Sequence, residues 1–591
     1  MKNFKLFFLF FISFQLFSQS IHYNLKMSKP QNHYFEVEMI IDGITEKEIE
    51  IKMPVWSPGS YLVREFSKNV NLVKANDFDS KSTLRVEKKS KNTWKISTNN
   101  SKKIKISYEV YSFELSVRTS FLDLQHGFIS GSSIFMYIDK FKEKNGTLAI
   151  FPHHTFKKVS TALPQNKESL ANDNTFSFAF LNYDQLVDCP IEIGNHETFN
   201  FEAAGVLHSV AMFGPGNFDV SQLKIDMAKI VTAATTVFGE NPNKNYLFII
   251  HNVIDGQGGL EHTNSTTLSV NRWTYQGSEY IGFLSLVAHE YFHLWNVKRI
   301  RPIELGPFNY DEEVYTSLLW VMEGFTSYYD ELLLKRAGYY TNEQILSKIS
   351  GGINYVEGSE GSRVQPVAHA SFDAWIKAYR PNENSANTTM TYYSRGAMLA
   401  SILDAKIITK YKGEKCLDHF LQKLYEDFYK KKNRGFSENE FNQALTDFMK
   451  EDMSSFIADY VNGTKTPKFE EIYKPLGILV SYTGSVKPSF GASFSSSNGK
   501  AIVKSIRSNS AAENMGLSVN DEVIGMNGYR ISASELDGII TNLADGEEIN
   551  LLVSRENILF ELKGKMGVYE KQSFKFTIQD EQNKLLKYWF R

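Results

Sequence analysis

The periodicity of the apolar residues changes twice along these 591 residues, and the two changes limit the folds open to the chain. From about 21 to 200, hydrophobic and polar residues alternate. In 34-YFEVEMIIDG-43, Phe35, Val37 and Met39 are separated by Glu36 and Glu38, the two-residue repeat of a half-buried strand. The pattern recurs in 103-KIKISYEVYSFEL-115 and 175-TFSFAFL-181, bounded by Asn, Gly and Ser turns. From about 225 to 465 the repeat is helical, as in 315-YTSLLWVMEGFTSYYDELLLKRAG-338, with Gly338 as its stop, and 396-GAMLASILDAKIITKY-411. Short strands return after the linker 462-NGTKTPKF-469. One core cannot serve so long a chain. The pattern predicts a multidomain α+β protein: an N-terminal β-sandwich or saddle domain at 21–200, a mainly helical domain at 201–465, a small module at 470–568 and a tail at 569–591.

The first twenty residues, MKNFKLFFLFFISFQLFSQS, stand outside that scheme. Lys2 and Lys5 precede the apolar run Leu6 to Phe17, and Ser18 and Ser20 supply the small residues of a cleavage site, so 1–20 reads as a signal peptide. Twelve apolar residues span only about 18 Å as a helix, short of roughly 30 Å of hydrocarbon. The mature protein is expected to be exported, periplasmic or secreted, with no transmembrane segment. A net charge of −2 argues against nucleic-acid binding. Cys189 and Cys416, the only cysteines, are too few for a thiolate zinc site, and their positions do not decide whether they pair.

Two of the thirteen histidines lie four apart in 285-SLVAHEYFHLWNV-297. On a helix, His289 and His293 then fall within roughly 40° of each other, one turn apart, as two imidazoles on one tetrahedral Zn²⁺ require. Glu290, about 100° round, stands beside such an ion, where it can reach a water. Polar groups on a helix this apolar (Leu284, Leu286, Val287, Leu294, Trp295) are costly unless something satisfies them. A third ligand is needed, and Glu304, Glu312, Glu313 and Glu323 follow. Glu312 sits in the polar stretch 309-NYDEEVY-315, whereas Glu323 is a lone carboxylate in the apolar 319-LWVMEGFTSYYDEL-332, with Gly324 beside it to relieve crowding; Glu323 is the choice.

HEYFHLWNVKRIRP at 289–302 with MEGFTSYYDEL at 322–332 resembles the M61 peptidases, zinc aminopeptidases of the glycyl aminopeptidase type. Their gap before the glutamate exceeds that of the M1 enzymes, so the resemblance also implies Glu323 rather than Glu312. It extends to 54-PVWSPGSYLVREFSKNV-70 and 186-LVDCPIEIG-194, and implies a thermolysin-like, mainly helical gluzincin catalytic domain holding one Zn²⁺ per chain. The stretch 257-QGGLEHTNS-265 is similar to the family's substrate-binding strand. There Gly258 and Gly259 would admit an extended peptide, and Glu261 would hold its free α-amine by a charge-assisted hydrogen bond. In 392-YYSRGAML-399, which resembles the Tyr-x-Lys-Gly segment of M1-like enzymes with Arg395 for Lys, Tyr393 or its neighbour Tyr392 would stabilise an oxyanion. Tyr393 matches the position. Trp295 and Asn296 would orient ligands or simply pack.

The C-terminal 510-SAAENMGLSVNDEVIGMNGYRI-531 resembles a PDZ domain, with a short helix ended by Gly516, an Asn527-Gly528 hairpin turn and a second helix at 533–543. Its peptide-binding loop would comprise Phe490, Gly491, Ala492 and Ser493, open to a peptide or protein terminus. The reading is an exported zinc aminopeptidase removing N-terminal residues, Gly or Ala by family resemblance, from peptides with a free N-terminus. Two alternatives remain: a PDZ-containing zinc endopeptidase, and a secreted peptide-binding protein with a degenerate peptidase domain. The intact set His289, Glu290, His293 and Glu323 speaks against the last.

Overall fold

The computed structural model describes residues 20–166, 174–256 and 258–591. The expected export signal lies outside the described residues, except for Ser20, which opens the strand Ser20–Lys26. The chain divides into two compact units, Met1–Ser57 with Arg64–His196, and Pro58–Val63 with Glu197–Arg591.

The first unit is β-rich. A seven-stranded sheet runs in the order Phe176–Phe180, Gly146–Phe151, Ser20–Lys26, Tyr34–Asp42, Lys103–Tyr111, Val70–Asp77, Thr83–Leu84. Alternation sets its buried face: Phe35, Val37, Met39 and Ile41 point inward from one strand. A five-stranded sheet lies against it, so that a Cβ at Gly127 would come within 3.2 Å of Phe35. The alternating run at 103–115 is not one strand. It breaks at buried Ser112, whose N–H donates to the His33 carbonyl at 2.7 Å, and Lys103–Tyr111 and Phe113–Ser116 then join different sheets.

In the second unit a five-stranded sheet takes the order β1 (Glu197–Ala203), β2 (Val206–Phe213), β3 (Asn245–Val253), β5 (Ser265–Asn271) and β4 (Gly259–Glu261). The central pairs are parallel, while β4 is an antiparallel edge strand. Helix α1 (Val220–Phe238) connects β2 to β3, and α2 (Gly277–Phe292) packs on β4 and β5. The helical run at 315–338 begins later than its pattern predicts: a π-helical turn at Trp320–Gly324 leads into α3 (Phe325–Arg336), and Gly338 follows at φ 87°. Helices α4 (Asn342–Glu357) and α5 (Tyr392–Lys410) pack on α3.

Strands β6 (Ala492–Ser497), β7 (Lys500–Ile506), β8 (Glu522–Met526), β9 (Glu548–Arg555) and β10 (Ile558–Lys565), with α6 (Ala533–Thr541), form the C-terminal module around Val503, Leu536 and Val553. Asn527 and Gly528 both have positive φ, as the tight hairpin turn demands. The last residues dock: Phe574–Ile578 pairs with Ile478–Tyr482, and α7 (Lys584–Trp589) buries Trp589. No disulfide joins Cys189 to Cys416, both of which are buried. Among the described residues no helix is long and apolar enough to cross a membrane.

Candidate active site

The end of α2 and the π-helical turn before α3 bring three ligand-type groups together. The rings of His289 and His293 lie 4.7 Å apart at 84°. Both Nε2 atoms converge on one oxygen: Glu323 Oε2 is 3.6 Å from that of His289 and 3.3 Å from that of His293. Ligands about 2.0–2.1 Å from one tetrahedral ion are themselves roughly 3.4 Å apart, so the spacing fits a zinc-sized cation.

The outer contacts fix the same polarity. His289 Nδ1–H donates to Asp330 Oδ2 at 3.0 Å, and His293 Nδ1–H donates to the Asn296 carbonyl at 2.8 Å. Each imidazole therefore has its Nδ1 committed as a donor and its Nε2 aimed at Glu323. Burial alone would raise the Glu323 carboxyl, but the two imidazoles override it and hold it at about 2. Two imidazole nitrogens and a carboxylate thus converge on one point, the donor set of a cation site.

Burial pushes the neighbouring Glu290 carboxyl up to about 7; Glu261 and Glu323 add to the rise against the two histidines. Its Oε2 is buried without a hydrogen-bond partner. A carboxylate poised near neutrality with a spare lone pair is suited to accept and return a proton. Ligand-type atoms of Glu261, Glu290 and His293 also lie within 4.8 Å of one another, which puts Glu261, on edge strand β4, next to the base.

Some assigned residues occupy different surroundings from those the sequence suggests. Gly259 gives its space to the base: a Cβ there would stand 2.3 Å from Glu290 Oε1, whereas a Cβ at Gly258 (φ 121°) would meet nothing within 4 Å. Gly324 serves a helix crossing. Its Cβ would lie 2.3 Å from Gly396 Cα, so the turn bearing Glu323 meets α5 backbone to backbone. That crossing carries Tyr393 to the site, its ring 6.2 Å from that of His289 and stacked 4.8 Å from Tyr392. Burial and the Glu323 charge keep the Tyr393 phenol protonated, hence a donor. Arg395 faces away and donates to the carbonyls of Ser362 and Gly463.

Asn296 and Trp295 divide their duties. Asn296 Nδ2 donates to the carbonyls of Val321 and Met322 at 2.9 and 2.8 Å, clamping the turn that presents Glu323. Trp295 stacks on Phe238 at 4.7 Å and packs the core. Glu304 and Glu312 are exposed, and Glu312 accepts from Asn309 in its own loop. Sequence reasoning missed Asp330, though it stands seven residues, two helical turns, beyond Glu323 on the same helix face.

In the C-terminal module, Phe490 belongs to the core, Gly491 (φ 83°) accepts from the Arg507 N–H at 2.7 Å, Ala492 pairs with Ile506, and Ser493 bonds Ser505. Strand β6 is an edge of its sheet and packs on α6.

Comparison with known proteins follows the same division. Residues 22–195 match the Peptidase M61 N-terminal domain, 282–399 the M61 glycyl aminopeptidase family and 488–565 the PDZ domain. Among solved structures, an aminopeptidase N family protein from Idiomarina loihiensis superposes with a TM-score of 0.89 and 28% identity, over 97% of this chain and 100% of that one. An M1 zinc metallopeptidase from Deinococcus radiodurans shares the fold at a TM-score of 0.50 and 11% identity, over 76% of this chain and 95% of that one. No curated protein shows significant sequence similarity.

Proposed function

We propose that this chain, which matches the M61 peptidase models at residues 22–195 and 282–399 and the PDZ domain at 488–565, acts as an exported aminopeptidase, with one Zn²⁺ held by His289, His293 and Glu323. The observation that carries the reading is the convergence of both Nε2 atoms on Glu323 Oε2 beside an unpartnered, buried Glu290 oxygen. When bound, the ion supplies Lewis acidity, making a water more acidic and polarising the scissile carbonyl.

The chain's own groups do the rest. Glu290 takes the proton of the attacking water and passes it to the leaving amine, acting first as base and then as acid. The Tyr393 phenol donates to the oxygen on which negative charge develops. Edge strand β4 can pair with an extended peptide, and Glu261 at its end holds the substrate's α-ammonium, which selects chain ends over internal bonds. Preference for N-terminal Gly or Ala follows the family. Export rests on the sequence of residues 1–20, and the groove between β6 and α6 is the place for a peptide terminus.

The test compares hydrolysis of Gly-, Ala-, Leu- and N-acetylated peptides, with and without a chelator. Free-amine substrates should be cut and blocked ones spared, all activity should be lost to the chelator, and Glu261→Gln should weaken cleavage of free-amine peptides. Equal turnover of blocked peptides would favour the endopeptidase alternative.

A further inference from the structure

The stretch 54-PVWSPGSYLVREFSKNV-70 has no place in the chemistry above, yet six of its residues, Pro58–Val63, group with the catalytic unit rather than with the β unit that surrounds them in sequence. Gly59 is held at φ 86°, and a Cβ there would lie 2.6 and 2.9 Å from the two carboxylate oxygens of Glu261 and 2.7 Å from Leu260 Cδ1. The backbone of this hook therefore lies directly on the carboxylate. A side chain at 59 would have to displace it, and the left-handed conformation disfavours one in any case.

Tyr61 is the hook's second contact. Only 1% exposed, its ring stands edge-on to Trp375 at 5.8 Å and to Tyr379 at 6.2 Å. Two residues before it, Gly59 covers the Glu261 carboxylate, so the same short hook carries Tyr61 beside the amine-binding group. A substrate's first residue must bridge two places, its nitrogen at Glu261 and its carbonyl at the His289–Glu323 centre. Its Cα sits about 1.5 Å from each of those atoms, so its side chain emerges between them. The hook that carries Tyr61 reaches one end of that space, at Glu261.

We propose that Pro58–Val63 is the lid of the subsite for the substrate's first residue, with Gly59 fixing the Glu261 carboxylate and Tyr61 forming the wall that limits that residue's side chain. The proposal rests on the aminopeptidase reading and adds to it the part of the chain that measures the N-terminal residue. Gly59 is a positioning residue, while Tyr61 touches substrate.

The experiment uses the full chain. kcat and KM are measured on Gly-, Ala- and Leu-terminated dipeptide substrates for wild type, Tyr61→Ala, Tyr61→Leu, Tyr61→Phe and Gly59→Ala. Binding of glycinamide and leucinamide to the Glu290→Gln protein, with and without the same changes, is followed by calorimetry. Shortening Tyr61 should raise the Leu-to-Gly ratio of kcat/KM at least about tenfold, since one or two methylenes in a closed pocket are worth that much. Tyr61→Phe, which keeps the wall, should leave the ratio as in wild type. In Gly59→Ala the loss should fall on KM, by about tenfold or more, with glycinamide binding weakened in proportion. Should Tyr61→Ala fail to fold, Tyr61→Leu keeps an apolar filling and the same readout. If wild type prefers free amines while the Tyr61 variants keep its ratio and Gly59→Ala keeps its KM, the lid is overturned and the aminopeptidase reading stands. If wild type cuts blocked peptides equally well, both fall.

Discussion

Three carboxylates and two imidazoles share one buried site, and each residue's role follows from what it faces. Glu323 faces both Nε2 atoms and stays ionised; Glu290 faces carboxylates and apolar surroundings and is pushed towards neutrality. The position of Glu290 depends on a missing side chain. A methyl group at 259 would overlap its Oε1, Cδ and Cγ, all within 2.5 Å, so Gly259→Ala must displace the base. Since a displacement of about 1 Å can cost roughly a hundredfold in rate, kcat of Gly259→Ala should fall by about that factor with metal content unchanged. Steady-state kinetics beside elemental analysis checks this, and wild-type kcat would show that the base tolerates the shift.

At the scale of elements, the π-helical turn Trp320–Gly324 is what aims Glu323, and Asn296 holds it by two carbonyls. Asn296→Ala leaves both carbonyls buried without that donor. It should cost about 1–3 kcal/mol of stability and weaken metal affinity by about 10–100-fold. Thermal melts with and without zinc and a competitive metal titration read the two effects separately, and unchanged affinity would leave Asn296 only a packing role. Much of this was legible because its signals are local. His289 and His293 are one helical turn apart, Glu323 is a carboxylate in an apolar run, and alternation marked strands such as Tyr34–Asp42. What was hidden depends on distant partners. The alternating pattern runs straight through Ser112, where the chain changes sheets, because the break is set by the carbonyl of His33. Asp330 gains its meaning from a histidine 41 residues away, and Gly259 and Gly59 from the carboxylates they touch. Periodicity carries no record of such contacts.

At the scale of the molecule, the chain's last helix is tied into the catalytic core. Trp589 Nε1–H donates to Tyr328 OH, which donates to Asp404 Oδ2, both at 2.7 Å, while the Leu417 N–H donates to Asp404 Oδ1. Burial pushes the Asp404 carboxyl up to about 6 even against the Tyr328 hydrogen bond. An unfolded aspartate titrates near 3.9, so between about 4 and 6 the folded form holds the extra proton and this group's contribution to stability falls as pH rises. The difference in unfolding free energy between wild type and Asp404→Asn should therefore decline across that window and level off above it. A difference independent of pH there would mean the carboxyl is not raised. The central claim concerns the ion itself. Metal analysis of the purified full chain and its variants should find one zinc per chain in wild type and in inactive Glu290→Gln, and little in His293→Ala or Glu323→Gln; active wild-type protein without a transition metal, or zinc retained in full by the ligand variants, would contradict the account.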